Sequence, residues 1–430
     1  MDTFRYEKEI PSLGHYDVCV VGGGPAGVAA AICAARQGKR TVLIEGTAAL
    51  GGMATSGLVG PFMTNYDRDG KEKTVDGIFG EIVRRLSEHG HALPSDEIFS
   101  HSVYTSFIDR YHAHVTPFHS FRLEHLLDGM TRESGVRVLC YTHFSDAVAE
   151  DGVIRYLLVS APEGLRAVSA EVYVDATGIA ALAACVGVPT YKGDEKSGIP
   201  QPATLMFEVE GVDDDAFARY GERPPRPVKV YRTPTKGRYK VNHYHIYNVD
   251  AASAASLTEA HAEARGQIDK AIEVLREQTP GFESATLCAV APVLGTRESR
   301  HILGDLTITV DDVRLGTKFD DRIAVYGFGM DIHSRTEQAE RNFRVEVAER
   351  YYIPYRALIP RNVKNLLVAG KTISCQSEAV GGMRCMPAAF AMGQAAGVAC
   401  ALACEVDADV RRVDISRLQS ILRECGAILD

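Results

Sequence analysis

No two of the ten cysteines form a Cys-x-x-Cys pair. This removes the spacing that a thioredoxin-like redox centre or a zinc ribbon needs. No run of lysine or arginine forms a basic tail, and the formal net charge is −9 over 430 residues. An acidic chain is repelled by a phosphate backbone, so nucleic acid is not expected as the main partner. The opening residues include Arg5, Glu7, Lys8 and Glu9, which matches neither a secretory nor a twin-arginine signal. A cytoplasmic protein with reduced thiols is therefore expected. Internal repeats, low-complexity tracts and flexible linkers are also missing. One stretch, from Pro387 to Cys404, lacks charge, but Ala, Gly and Cys fill it rather than Leu, Ile and Phe. Small residues let a helix lie close to a sheet, so a buried helix and no membrane partner are expected.

What is present is an ordinary globular composition, 46% hydrophobic and 24% charged, in a length that suits two or three domains. A strand is expected from Tyr16 to Val21, a turn from Gly22 to Gly27, a helix from Val28 to Gln37, and a second strand from Arg40 to Ile44. Together they make a βαβ unit. Helices are expected from Val75 to His89 and from Arg122 to Ser134. Strands follow from Val136 to Tyr141, Gly152 to Ser160 and Ala167 to Val174. The stretch from Ala92 to Pro117 is irregular, and the proline-rich piece from Glu222 to Pro227 reads as a loop tip. The section from about 191 to 350 is strand-rich, with one long helix from Leu257 to Gln278. A strand from Asn365 to Ala369 and the helix after Pro387 close the chain.

Gly22-x-Gly24-x-x-Gly27 follows the first strand, opens the helix with Pro25 and Ala26, and precedes Glu45 at the end of the next strand. Gly22 allows the tight turn, Gly24 lets backbone approach a pyrophosphate, and Gly27 lets helix and strand pack closely. The helix start offers N–H groups and a positive dipole end to phosphates. Glu45 is placed to accept from ribose hydroxyls. No second such motif marks a separate nicotinamide domain, while a glycine-rich segment stands near the chain end. FAD, held between both ends of the sequence, fits this pattern better than NAD.

Those residues, with LGGMAT from Leu50 to Thr55, DATG from Asp175 to Gly178, GTRESRHILGD from Gly295 to Asp305, DIH from Asp331 to His333 and NLLVAGKTIS…GGMRCMPAAFAMGQAAG from Asn365 to Gly397, carry a resemblance. The chain resembles the FAD-dependent oxidoreductase family of the glutathione reductase structural superfamily. The resemblance implies an α/β protein with a Rossmann-type FAD-binding domain in two parts (1–190 and 351–430) and an inserted α+β substrate domain (191–350). It implies FAD contacts at Gly51, Gly52, Met53, Ala176, Thr177, Gly178 and Gly370, and places Gly382, Met383, Arg384 and Met386 near the isoalloxazine. It further implies a small-molecule substrate and a separate electron acceptor or donor, and is compatible with a homo-oligomer. Two family features are absent: Lys371 replaces an acidic residue that would contact ribityl, and Ile179 replaces the acid after the ATG segment.

Among residues able to do chemistry, His333 is the first choice as acid/base, because imidazole titrates near neutrality. Arg297 and Arg300, flanking Glu298, could fix a carboxylate or phosphate, or form a structural ion-pair network. His243 and His245 alternate along an expected strand and would share one face, but no third ligand accompanies them and no metal is inferred. Cys375 and Cys385 fall in the flavin-proximal segment, as reactive thiols or as inert packing. The functional expectation is hydride transfer between flavin N5 and a small organic substrate. A flavin-dependent modifier of RNA or of a cofactor precursor is the alternative, and a non-catalytic FAD-binding protein is another.

Overall fold

The computed structural model describes residues 4–5, 7–95, 114–221, 224–225, 227–336 and 343–430. Most of the stretch from Ala92 to Pro117 and part of the Glu222 to Pro227 piece lie outside these residues.

The βαβ unit is present. Strand β1 (Ser12–Val21) is buried over its last four residues, and Gly22 turns the chain with φ of 100°. Helix α1 (Pro25–Arg36) carries Pro25 in its first turn, where a missing N–H leaves no hydrogen bond unmade. Strand β2 (Thr41–Ile44) lies parallel to β1. Helices α2 (Ile78–Ser87) and α3 (Ser120–Glu133) lead to β3 (Arg137–Leu139), which adds beyond β2. Strands β4 (His143–Glu150), β5 (Val153–Ala161) and β6 (Gly164–Asp175) form an antiparallel meander. Its last strand returns parallel to β1. Helix α4 (Ala181–Cys185) and β7 (Thr190–Lys192) carry the chain away.

A second unit follows: β8 (Phe207–Glu210), α5 (Asp214–Tyr220), β9 (Lys229–Arg232), β10 (Tyr239–Asn242), α6 (Ala254–Gly266), α7 (Ile268–Gln278) and β11 (Thr286–Val290). Its antiparallel sheet has the order β11-β8-β10-β9. Ala264 and Leu275 of the helices pack with Phe207, Tyr239 and Phe282 in a core of its own. The single long helix expected here is two helices. The break falls at Gln267, directly after Gly266, and glycine is about 1 kcal/mol poorer than alanine inside a helix. Strand β10 also ends at Asn242, short of the two histidines assigned to it.

The chain then passes through β12 (Arg300–Ile302), α8 (Val310–Leu315), β13 (Arg322–Tyr326), β14 (Met330–Ile332), β15 (Phe343–Val345) and β16 (Tyr351–Pro354). Strand β17 (Leu366–Val368) joins the end of β6 in parallel. Helices α9 (Val380–Met383), α10 (Met386–Ala403) and α11 (Ile415–Glu424) finish the fold. Both ends of the sequence thus share one seven-stranded sheet of order β3-β2-β1-β6-β5-β4, with β17 beside β6. Asn365 bridges the transfer of β6 from β5 to β17, bonding both Ile154 N and O and Glu171 O. Apolar residues from Ile308 to Ile359 join the cluster around α1 and α10, apart from the cluster of the second unit. Strand β13, paired with β16, rests on α10.

Among the described residues, α10 is the helix long and apolar enough to cross a membrane, and it is 94% buried. Its closest backbone partner is helix α1, not the sheet. An added Cβ on Gly393 would stand 2.1 Å from Ala26 O, and one on Gly397 2.3 Å from Ala30 O. Both pairs advance by one turn in the same direction, so the helices run parallel with their backbones touching. Measured from this contact, α10 starts six residues earlier than α1 does, a stagger of about 9 Å.

Candidate active site

The carboxyl ends of β1, β2, β6 and β17 open into a cavity of about 790 Å³, within the range of small-molecule and cofactor sites. One end is walled mostly by backbone. Gly22, Gly24, Pro25 and Ala26 line it. Among the described residues, none beyond its chain neighbours comes within 4 Å of an ideal Cβ at Gly24, so a side chain there would project into open space. Gly27 faces inward: its Cβ would stand 1.8 Å from Gly22 O. No side chain caps α1, and no acid occupies its first turn, which leaves the helix start free for an anion. Glu45 also lines the cavity. Its Oε2 accepts from Gly23 N at 2.7 Å, and its Oε1 from Thr47 N at 2.7 Å and Thr47 Oγ1 at 2.8 Å. A lone pair on Oε2 remains for a hydroxyl.

Gly52, Met53, Ala176, Thr177, Gly178 and Gly370 form the next part of the wall. Gly51 lies behind it, in a left-handed turn packed on Thr55. The Ala176–Gly178 turn is held by Asp175, which is fully buried and accepts from Thr177 N, Thr177 Oγ1 and Ala183 N. A dinucleotide fits this end by its chemistry: a glycine cradle that a Cβ would fill, an uncapped helix start, and a carboxylate one strand away.

The other end is made of side chains. Arg384 and Met386 line it, together with Cys385 and Ala389 at the uncapped start of α10. Gly382 and Met383 sit behind the wall, Gly382 against Tyr351 and Phe328 and Met383 fully buried. His333 follows β14 and lines the cavity. Its Nε2 lies 3.0 Å from Asp331 Oδ2, and its Nδ1 3.1 Å from His245 Nε2. Burial, then the Arg297 guanidinium, pushes His333 down to about 3 despite Asp331. Burial and Arg297 likewise push His245 down to about 2. Both rings are thus neutral, and the carboxylate fixes the tautomers: His333 donates from Nε2 to Asp331, and His245 donates from Nε2 to His333 Nδ1. The expectation of an imidazole titrating near neutrality with a nitrogen open to substrate is therefore replaced, because both nitrogens are engaged. Asp331 Oδ1 accepts no hydrogen bond among the described residues. Burial opposes ionisation of Asp331, but His333 and Arg384 hold the carboxyl well below its usual range.

Arg297 lines the cavity, and its Nη1 donates to Pro202 O at 2.5 Å. Burial and Arg384 push it down to about 9. Its neighbour Glu298 points the other way, accepting from Gln201 N, Arg335 Nη1, Ser377 Oγ and His301 Nε2. Arg300 does not reach the cavity. It belongs to β12, and its guanidinium caps Ile179 O at 3.4 Å. His243 and His245 diverge, His243 beside Phe207 and His245 beside His333. No cluster of metal-ligating groups occurs among the described residues. Burial pushes both Cys375 and Cys385 up, Cys385 to about 12, so neither presents a thiolate. Lys229 and Tyr231 of β9 also line the cavity, although no motif surrounds them in the sequence. Lys371 stands out in the sequence only as a departure from the family. Its ammonium lies in the cavity wall, donating to Thr296 O and Oγ1, and burial pushes it down to about 8.

Residues 17–422 match the family described as FAD dependent oxidoreductase. The chain belongs to that family. FAD is its cofactor, as the Gly22–Gly27 turn implies. Over 47 residues it is 45% identical to the mitochondrial dihydrolipoyl dehydrogenase of Schizosaccharomyces pombe, covering 11% of this chain and 9% of that protein. Over 41 residues it is 54% identical to the soluble pyridine nucleotide transhydrogenase of a Marinomonas species, covering 10% of this chain and 9% of that protein. The chain thus spans under a tenth of the curated relatives it matches. The solved structure of BexE, described for oxidation during BE-7585A biosynthesis, aligns with 96% of this chain and 66% of its own at a TM-score of 0.51 and 14% identity. That likeness is one of fold.

Proposed function

We propose that this flavoprotein transfers a hydride between flavin N5 and a small organic substrate entering the His333 end of the cavity. The observation that carries this reading is continuity: the glycine turn lines one end of a single cavity, and Asp331, His333, Arg297 and Arg384 line the other. Bound FAD supplies the two-electron acceptor or donor. Gly22, Gly24 and the start of α1 would hold its pyrophosphate, and Glu45 would accept from a ribose hydroxyl. Arg384 and the start of α10 favour negative charge at the far wall. A substrate hydroxyl or amine sheds a proton as its hydride departs, and Asp331 Oδ1 is the acceptor atom open to it. His333 serves that transfer from behind, orienting the carboxylate through Nε2, while His245 fixes the tautomer of His333.

Heat release and chromatography identify the cofactor, and FMN in place of FAD would sink the assignment. Anaerobic mixing with a panel of alcohols, amines and hydroxy acids should bleach the flavin band. A bound flavin that no organic donor reduces and no acceptor reoxidises would overturn hydride transfer.

A further inference from the structure

We infer that the substrate carries a carboxylate, seated by Arg297 together with Arg384. The inference rests on the reading of the His333 end as the substrate side. Among the described residues, Lys229, Arg297, Lys371 and Arg384 line the cavity, against the carboxylates Glu45 and Asp331. Glu45 stands at the nucleotide end and is bonded to Gly23 and Thr47, which leaves Asp331 alone among the cations.

The cations differ in how they are occupied. Lys371 is anchored on Thr296, and Arg384 donates to Asp331 O and Oδ2 through Nη2. Among the described residues, Arg297 makes one hydrogen bond, to Pro202 O, from a fork of five donors. It is 8% exposed, and among the described residues no carboxylate pairs with it. A buried guanidinium that shares a cavity wall with a second one is unfavourable unless an anion joins them. The depression of Arg297 by burial and Arg384 is the same strain expressed in its proton affinity.

Its position is enforced rather than accidental. Glu298, 1% exposed and held by four partners, turns the preceding residue toward the cavity. Gln201 ties this anchor to the acid–base group: its N–H donates to Glu298, and its Oε1 accepts from His333 N. A planar two-oxygen anion matches the guanidinium fork. Tyr231, Met206, Leu294 and Phe328 in the same lining suit an apolar body attached to it. Docking the carboxylate also offsets Arg297 and Arg384, the charges that hold His333 and Asp331 down. Both become more basic when substrate arrives, which is when a proton has to be taken.

The test uses the full chain loaded with FAD, titrated with benzoate and succinate against benzamide and succinamide. The readouts are the visible flavin band and the thermal midpoint. The acids should shift the band saturably and raise the midpoint, and the amides at equal concentration should do neither. Arg297→Met should weaken acid binding about tenfold to a hundredfold, the loss expected for a charged hydrogen-bonded contact, and Arg297→Lys should retain part of it. Equal effects of acids and amides, or a response to inorganic phosphate and sulfate alone, would overturn the inference. So would an Arg297→Met protein that binds benzoate as wild type does. Should Arg297→Met fail to fold, the acid–amide comparison on wild type decides the matter. Protein purified without FAD would instead defeat the flavin reading itself, which separates the two failures.

Discussion

At the nucleotide end of the cavity the wall is mainly backbone, and recognition depends on side chains being absent. Gly24 is open because nothing projects from it, and Gly27 touches Gly22 because nothing separates them. At the substrate end the wall is side chain, drawn from β9, from the loop holding Arg297, from β14 and its exit, and from the approach to α10. The first end is built by short-range sequence, the second by long-range packing. Damage should divide the same way: changes at the first end abolish cofactor binding, and changes at the second leave cofactor bound and impair its use.

The sharpest way to break this contrast is Gly24→Val. The variant should fold, since its Cβ meets no protein atom, yet lose FAD affinity by about 100-fold or more, about 2.7 kcal/mol. Circular dichroism and flavin-to-protein ratio read both halves of this outcome. A soluble variant with full flavin content would contradict the cradle. Gly27→Val, in contrast, should fail to fold, because its side chain would enter the turn itself.

His333→Ala probes the other end. FAD content should be unchanged, while single-turnover reduction of the flavin by substrate slows at least about 100-fold, the lower range for acid–base assistance. His333→Gln, which keeps a donor toward Asp331, should recover part of the rate if His333 works through the carboxylate. Equal rates in wild type and the Ala variant would make His333 purely structural.

Acid stability offers a smaller, graded readout. The folded state holds His333 near 3 and His245 near 2, against about 6.5 when unfolded. Their depressed values mean that the unfolded chain binds more protons between those limits. Stability from these residues is therefore complete above about pH 6.5 and declines as pH falls toward 3, by up to about 1.4 kcal/mol per pH unit for each proton. Thermal midpoints of His333→Gln and His245→Gln across that range should show a shallower acid slope than wild type. Parallel slopes would mean that neither ring is held neutral.

The smallest effect should come from Arg300→Ala. This residue stands outside the cavity, so flavin content and reduction rate should hold, with stability changed by about 0.5 kcal/mol or less. A substantial rate loss would return it to the substrate site.

This contrast also explains what the sequence made legible. The glycine spacing, the strand before it and Glu45 lie within one local unit, so the dinucleotide end could be read residue by residue. That both ends of the chain build one domain followed from the resemblance, but the pairing of β17 with β6 was not legible, because Arg166, Ser169 and Glu171 interrupt the apolar residues of β6. The substrate end was only partly readable. Asp331 and His333 are two residues apart and drew notice together, but His245 comes from 88 positions away and was assigned to a strand that stops short of it. Arg297 and Arg300 looked equivalent in the chain, yet the onset of β12 turns one toward the cavity and the other toward Ile179. Lys229 and Tyr231 sit in a short strand whose neighbours carry no motif, and only the packing of the second sheet reveals their use.

The stagger between α1 and α10 acts as a ruler. Glycine contacts at two successive turns bolt the helices together, so neither start can slide past the other. Each start marks a place where electron-rich groups are welcome, and the marks lie about 9 Å apart along the helix direction. A ligand that brings electron-rich groups to both starts gains at each. Inserting one residue into α10 ahead of Gly393 would move the upper mark by about 1.5 Å and rotate it by about 100°. The sheet below would be untouched, and the scale against which the cofactor is measured would no longer read true.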